Sequence, residues 1–341
     1  MMGRNILFVV AGYPAIGLGH IYRSLMLAGE MKDFNVSFLC TRESGTYAAD
    51  LAAAHFPALI QQSVFLWRDV LALKPDLVIN DMLDTDADYM LPLKQRGLRL
   101  VNFEDEGPGA ALADIVVNAL YERGEKRAPH LLYGHENFCL RDEFLKARRN
   151  LFRPKAERIL ITFGGTDFSD FTRQSVDALF EDCLREELSI RVVAGPGYAH
   201  KQALLERIEF LDPGQTRLSF THATNIMSRE MENADFAVCS AGRTVYELAH
   251  MRIPGIVLAH HEREDMHRFA RPENGFMYLG VMNPFRAADL RTAFMRMQNP
   301  EERFLFRNRL EKFDFIGNKA KVVSTILDLL RVPGGGQICM S

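Results

Sequence analysis

The chain places its apolar residues in short unbroken runs, with longer amphipathic stretches between them. In the first half these runs occupy residues 5–12 (NILFVVAG), 35–40 (NVSFLC), 76–81 (DLVIND), 98–103 (LRLVNF) and 114–119 (DIVVNA), and each reads as a strand. Helical spacing of apolar positions covers residues 20–32, a segment near 47–54 and another near 86–95. A strand with one wet face alternates in polarity. These runs are close to continuous, which predicts a parallel sheet covered by helices on both faces.

A less regular, charge-rich stretch over residues 121–154, with Gly124, Pro129 and Gly134, reads as an inter-domain link. The alternation then restarts. Strand-like runs occupy residues 157–165 (ERILITFGG), 188–195 (LSIRVVAG), 234–242 (ADFAVCSAG) and 254–260 (PGIVLAH). Helices are expected from about Asp170, near Gln202 and through Leu248, and three more near 287–298, 301–312 and 319–330. The pattern predicts an α/β fold of two doubly wound, Rossmann-like domains facing a cleft. The expected division is 1–150 for the N-terminal domain, 151–335 for the C-terminal domain, and 336–341 for a flexible tail.

Composition narrows the function classes. The 341 residues are 48% hydrophobic, enough for two cores, and 41 basic against 44 acidic residues leave a formal charge of -3. No basic field exists for nucleic acid or an anionic membrane. Cys40, Cys139, Cys183, Cys239 and Cys339 are odd in number, scattered and without CxxC spacing. That argues against a disulfide framework or a structural zinc site and for a reducing cytoplasm. The N-terminal apolar run, residues 6–11, is too short to span a bilayer and precedes no small-residue cleavage pattern. A cytoplasmic protein without stable membrane insertion is expected.

Three segments carry candidate chemistry. GLGHIYR (residues 17–23) follows the first strand and opens a helix. Its glycines admit a ligand to the backbone, and the exposed amides of a helix start attract anionic oxygens. Tyr22 stands where a dinucleotide fingerprint needs its third glycine, which disfavours a nicotinamide cofactor. His20 at the positive end of a helix dipole is a usable neutral base, although by spacing alone a capping or solvent-facing histidine is the better reading. FGGTD (residues 163–167) either caps the next helix or cradles a phosphate. SAGRTVYE (residues 240–247) leads small residues into a helix, with Glu247 placed to accept ribose hydroxyls or else simply solvated.

Other clusters read as decoys. Asp84, Asp86 and Asp88 contain a DxD spacing but precede a helix, where acids favour the dipole. His260, His261 and His267 do not match HExxH, so no metal site is expected. The acids Glu104, Asp105 and Glu106 read as a solvated loop, although one of them is a candidate for the site. Cys239 reads as a small core residue.

Taken together, several stretches resemble the UDP-sugar hydrolases of pseudaminic-acid biosynthesis and their spore-coat polysaccharide relatives. That family has the glycosyltransferase-B (GT-B) fold and is related to the peptidoglycan N-acetylglucosaminyltransferase. The stretches are residues 16–28 (IGLGHIYRSLMLA), 77–81 (LVIND), 101–106 (VNFEDE), 139–144 (CLRDEF), 163–167 (FGGTD) and 234–249 (ADFAVCSAGRTVYELA), in the family's order. The GxGHxxR segment is the most specific; the SAGxTxxEL segment is shared across the wider transferase superfamily.

The resemblance implies that His20 is the catalytic base, supported by Gly17 and Gly19, with Arg23 and Asp81 contacting substrate. It puts Gly165, Thr166, Ser240, Gly242 and Thr244 near the diphosphate, Glu247 at the ribose, and Asn225 and Ile226 beside uracil. Leu83 departs from the tyrosine that family members often carry after the LVIND-like strand. The implied reaction is metal- and cofactor-independent release of UDP from a UDP-linked diacetamido-trideoxyhexose. His20 would activate the water, and the free sugar would feed nonulosonic-acid synthesis for a flagellar or surface glycan. The partner is a small UDP-sugar. The alternatives are a GT-B glycosyltransferase using a UDP-N-acetylhexosamine donor, or a non-catalytic nucleotide-sugar binder.

Overall fold

The computed structural model describes residues 3–12, 18–122, 128, 130–224 and 226–331. They fall into two compact units. The first comprises the described residues within Met1–Ala119, Arg123–Cys139 and Gly317–Ser341, the second Leu120–Glu122 and Leu140–Ile316.

The first unit is built on a seven-stranded sheet. Its strands are β1 (Asn5–Val10), β2 (Asn35–Cys40), β3 (Ala58–Ile60), β4 (Leu77–Asp81), β5 (Arg99–Phe103), β6 (Ile115–Asn118) and β7 (Leu131–Tyr133), in spatial order β3-β2-β1-β4-β5-β6-β7. Every pairing is parallel. β1 shows why its run had to be apolar throughout. Ile6, Phe8 and Val10 enter one core with Ile21, Leu27 and Ala48, while Leu7 and Val9 enter a second with Val70, Met90 and Leu93. Successive side chains of a strand point to opposite faces, and here both faces are dry.

The second unit repeats the plan with six strands: β8 (Arg158–Thr162), β9 (Ser189–Ala194), β10 (Leu218–His222), β11 (Phe236–Ser240), β12 (Gly255–Ala259) and β13 (Phe276–Val281). Their order is β10-β9-β8-β11-β12-β13, again all parallel. The long helix Phe171–Arg185 supplies Phe171, Val176, Leu179 and Phe180 to a core shared with Ile159, Ile161 and Val192.

Two expectations need correction. The four strands the hydrophobic pattern did not predict, β3, β7, β10 and β13, are the edge strands of the two sheets. An edge strand is covered on fewer sides, and most positions along these four are only half-buried, so no continuous apolar run marks them. The last helix, Asn318–Arg331, was expected with the C-terminal domain. Instead Val322, Val323, Ile326 and Leu330 complete the first unit's core beside Ile6, Phe8 and Cys139. The expected tail, 336–341, lies outside the described residues.

Candidate active site

In an open parallel sheet, ligands collect at the carboxyl ends of the strands where the strand order reverses. In the first unit that point lies between β1 and β4, whose last residues, Val10 and Asp81, are register partners. The helix Gly19–Ala28 starts here without a capping side chain. His20, Arg23 and Ser24 are spaced i, i+3 and i+4, which sets them on one helix face, and all three turn to Asp81.

Asp81 is fully buried. Its Oδ1 lies 2.6 Å from His20 Nδ1 and accepts from Arg23 Nη2 at 2.6 Å; its Oδ2 accepts from Arg23 Nε at 2.8 Å and from Ser24 Oγ at 3.2 Å. Burial alone would favour the neutral acid. The Arg23 guanidinium and His20 outweigh it and hold Asp81 well below the ordinary carboxylate range. A carboxylate only accepts, so in the neutral imidazole the proton sits on Nδ1 and the lone pair on Nε2. Nε2 has no hydrogen-bond partner among the described residues.

A second acid completes the group. Arg23 Nη1 donates to Glu104 Oε1 at 2.9 Å, and the guanidinium lies 5.1 Å from the Phe103 ring centroid. Glu104 sits just past β5 with φ of 52°, a conformation that costs an ordinary residue free energy. The neighbouring Asp105 pins the turn. Its carboxylate accepts from Thr85 N and Gly107 N, and from Thr85 Oγ1 and Asn102 Nδ2, all within 3.0 Å. Glu104 and Asp105 are 3% and 1% exposed, so the expectation of a solvated acidic loop does not hold. The β5 strand end needed a turn there, and buried acids with four donors supply it.

Arg23 and Asp81, expected as substrate contacts, are both buried, and their charges are engaged by one another, by Glu104 and by the His20 ring. They orient the imidazole. Gly19 is the first residue of the helix; Gly17 lies outside the described residues. Leu83 adopts φ of 70°. Asp86 caps the helix Ala87–Gln95 by accepting from Tyr89 N at 2.7 Å, and Asp84 accepts from Glu106 N at 2.8 Å.

In the second unit the strand order reverses between β8 and β11. Gly164, Gly165 and Thr166 form the turn beyond β8, Gly164 with φ of 78°. Asp167 then accepts from Phe171 N at 2.9 Å and Thr172 N at 2.8 Å, capping the long helix. The turn rests on a second glycine turn that the sequence reading missed. Gly195 N donates to Gly164 O at 3.1 Å and Gly197 N to Gly165 O at 2.9 Å. A Cβ on Gly195 would lie 2.5 Å from Gly165 Cα and 2.6 Å from the Gly164 carbonyl oxygen. The signal was present as the glycines of AGPGY at the end of the β9 run, where backbone approaches backbone.

Ser240 ends β11 and is buried, Gly242 and Thr244 are half-buried, and the helix Thr244–Met251 begins with no capping side chain. Ser240, Gly242 and Thr244 thus gather at the same strand end as Gly165 and Thr166. Glu247, in the first helical turn, is 6% exposed. Its Oε1 accepts from Arg141 Nε at 2.9 Å, a partner the sequence reading did not assign. Ile226 is exposed and precedes the helix Met227–Met231; Asn225 lies outside the described residues.

Near the same strand end, His260 stacks on Phe171 at 4.4 Å between ring centroids, and burial pushes its pKa down to about 4. His267 is likewise held down to about 4 by burial. Both stay neutral at pH 7 and behave as aromatic packing residues.

No family model matches the chain. In sequence it is similar to an uncharacterized protein, MJ1062, of Methanocaldococcus jannaschii: 26% identical over 274 residues, 76% of this chain but only 56% of that protein's length. It is also similar to the spore coat polysaccharide biosynthesis protein SpsG of Bacillus subtilis, 25% identical over 271 residues, 76% of this chain and 78% of SpsG. Among solved structures it is similar to MurG of Acinetobacter baumannii, with a TM-score of 0.65 and 15% identity over 95% of this chain and 99% of that one. S. aureus MnaA, solved with UDP, gives a TM-score of 0.62 at 11% identity over 98% and 99% of the two chains. Anabaena HepE, solved with UDP and glucose, gives 0.57 at 13% identity over 94% and 98%. These likenesses agree with the two parallel sheets: the chain has two Rossmann-like domains of the GT-B fold.

Proposed function

We propose that this chain is an enzyme of surface-polysaccharide biosynthesis that binds a UDP-sugar and hydrolyses it, releasing UDP. The observation that carries the reading is the buried Asp81 holding His20 by Nδ1 at 2.6 Å while Nε2 has no partner among the described residues. That is the arrangement of a general base: one ring nitrogen fixed by a carboxylate, the other able to take a proton. The likeness to SpsG and to structures solved with UDP supports a nucleotide-sugar as the ligand.

The second unit is the nucleotide half in this reading. Amides at the turn of Gly165 and Thr166 and at the start of the helix Thr244–Met251 receive the diphosphate, and Glu247 accepts from the ribose hydroxyls. The first unit is the chemical half. His20 Nε2 takes a proton from water, whose oxygen bonds to the anomeric carbon. The bond from that carbon to the diphosphate oxygen breaks, and its electron pair leaves with UDP. The helix cap made by Asp86 and the hydrogen bond accepted by Asp84 give both residues structural tasks, so the reading invokes no metal. A diacetamido-trideoxyhexose is the proposed sugar class, on the family resemblance of the GxGHxxR and SAGxTxxEL segments.

The test is release of UDP from UDP-sugars supplied without acceptor, by wild type and by His20→Asn. Asparagine cannot take the water proton, so turnover falls by about 10²-fold or more while UDP affinity stays within a few-fold. Turnover that needs an added acceptor assigns the protein to the glycosyltransferases instead. Near-wild-type hydrolysis by His20→Asn overturns the mechanism.

A further inference from the structure

A short link joins the residues assigned to ribose to those assigned to the base. The helix Asp142–Leu145 is anchored by the fully buried Phe144 and packs against both the helix Thr244–Met251 and the helix Met227–Met231. Arg141, just ahead of it, donates from Nε to Glu247 Oε1 at 2.9 Å, and its Nη1 lies 2.7 Å from Glu143 Oε1. The other oxygen of Glu143 accepts from the backbone N–H of Ser228 at 3.0 Å, two residues past Ile226. Glu247, Arg141, Glu143 and the Ser228 amide therefore form one continuous chain of charge-assisted hydrogen bonds within the second unit.

We propose that Arg141 and Glu143 act as a nucleoside clamp, holding the ribose-recognising carboxylate in register with the segment that flanks the base. The inference rests on the assignment of Glu247 and Ile226 to the nucleotide above. The physical argument is twofold. Glu247 is 6% exposed, and a carboxylate so placed needs hydrogen-bond donors to replace lost water; Arg141 engages one of its oxygens only. Oε2 has no partner among the described residues and is the oxygen left to receive a ribose hydroxyl. Glu247 alone has χ freedom to turn that oxygen elsewhere. With Oε1 fixed, the direction of Oε2 is fixed as well, and Glu143 transmits the same constraint to the start of the helix Met227–Met231 at Ser228. Arg141 is thus a positioning residue, selective for nucleosides with intact ribose hydroxyls.

The experiment measures UDP and 2′-deoxy-UDP affinity by calorimetry on the full chain, for wild type, Arg141→Gln, Arg141→Lys, Glu247→Gln and the double variant Arg141→Gln/Glu247→Gln. Arg141 is about one-third exposed, so its replacement leaves a surface the fold tolerates. UDP affinity should fall about tenfold in Arg141→Gln, with 2′-deoxy-UDP affected less, so the preference for the ribonucleotide shrinks. Lysine should restore part of that preference. The double variant should bind no more than about twofold weaker than Glu247→Gln alone, because the two residues act as a unit. Wild-type affinity and wild-type ribose preference in Arg141→Gln overturn the clamp, as does a fully additive double variant. A wild-type chain that binds no UDP overturns the nucleotide assignment itself, and the clamp with it.

Discussion

Replacing Asp81 by asparagine tests the core of the mechanism at the atom where the structure places most weight. The carboxylate serves donors on both oxygens: His20 Nδ1 and Arg23 Nη2 at Oδ1, Arg23 Nε and Ser24 Oγ at Oδ2. A carboxamide has one acceptor oxygen. If that oxygen takes the Oδ1 position, the amide N–H₂ confronts the Arg23 Nε–H. If it takes the Oδ2 position, the N–H₂ confronts Arg23 Nη2 and donates to His20 Nδ1, which moves the imidazole proton to Nε2 and removes the base. The second arrangement is the wrong-tautomer state that costs about 10⁴ in rate when the same exchange is made in a Ser-His-Asp triad. Turnover should therefore fall by about 10²–10⁴, or roughly 3–5 kcal/mol of transition-state stabilisation. Arg23 keeps Glu104 as a partner, so loss of half its charge compensation should cost about 3 kcal/mol of stability. The assay is UDP release at a temperature well below the variant's melting point, with UDP affinity measured in parallel. Affinity should change by less than about twofold, because the proposed nucleotide contacts all belong to the second unit. An Asp81→Asn protein that turns over within about threefold of wild type would refute the assignment of Asp81 as the residue that sets the His20 tautomer.

Other outcomes follow from the same geometry. Gly195→Ala drives a Cβ to 2.5 Å from Gly165 Cα, so UDP affinity should drop about tenfold or more in titration calorimetry, while Gly214→Ala, in an exposed turn, should not change it. Chelation by EDTA should leave turnover intact; activity lost in EDTA and restored by manganese or magnesium would return Asp84, Asp86 and Asp88 to the site. His260→Phe should change how stability depends on pH. The folded-state value near 4 lies below the ordinary 6.5, so the unfolded chain binds the extra proton, and wild type loses stability as pH falls from 6.5 towards 4. The loss is about 3 kcal/mol at most. Thermal melts at pH 5 and pH 7 should differ less in the phenylalanine variant, and an equal difference in both proteins would reject His260 as the titrating group.

The sequence by itself determined the doubly wound plan and the position of His20 at the start of a helix. Strands such as β1 and β11 are buried on both faces, and burial on both faces demands an unbroken apolar run that is readable without coordinates. That helix start was legible because the glycines of GxGHxxR follow such a strand and open an amphipathic run. Tertiary structure decided what position along the chain does not encode. The edge strands were hidden because partial burial leaves a mixed pattern. The last helix joined the first unit because its apolar face, Val322 to Leu330, meets Phe8 and Cys139 rather than its neighbours in sequence. Asp81 and Arg23 are 58 residues apart and become a buried pair only when β4 is laid beside β1. The same holds for Arg141 and Glu247, 106 residues apart. Local periodicity reports which face of an element is dry; which charges meet there depends on strand order, and that is set by the packing of the whole unit.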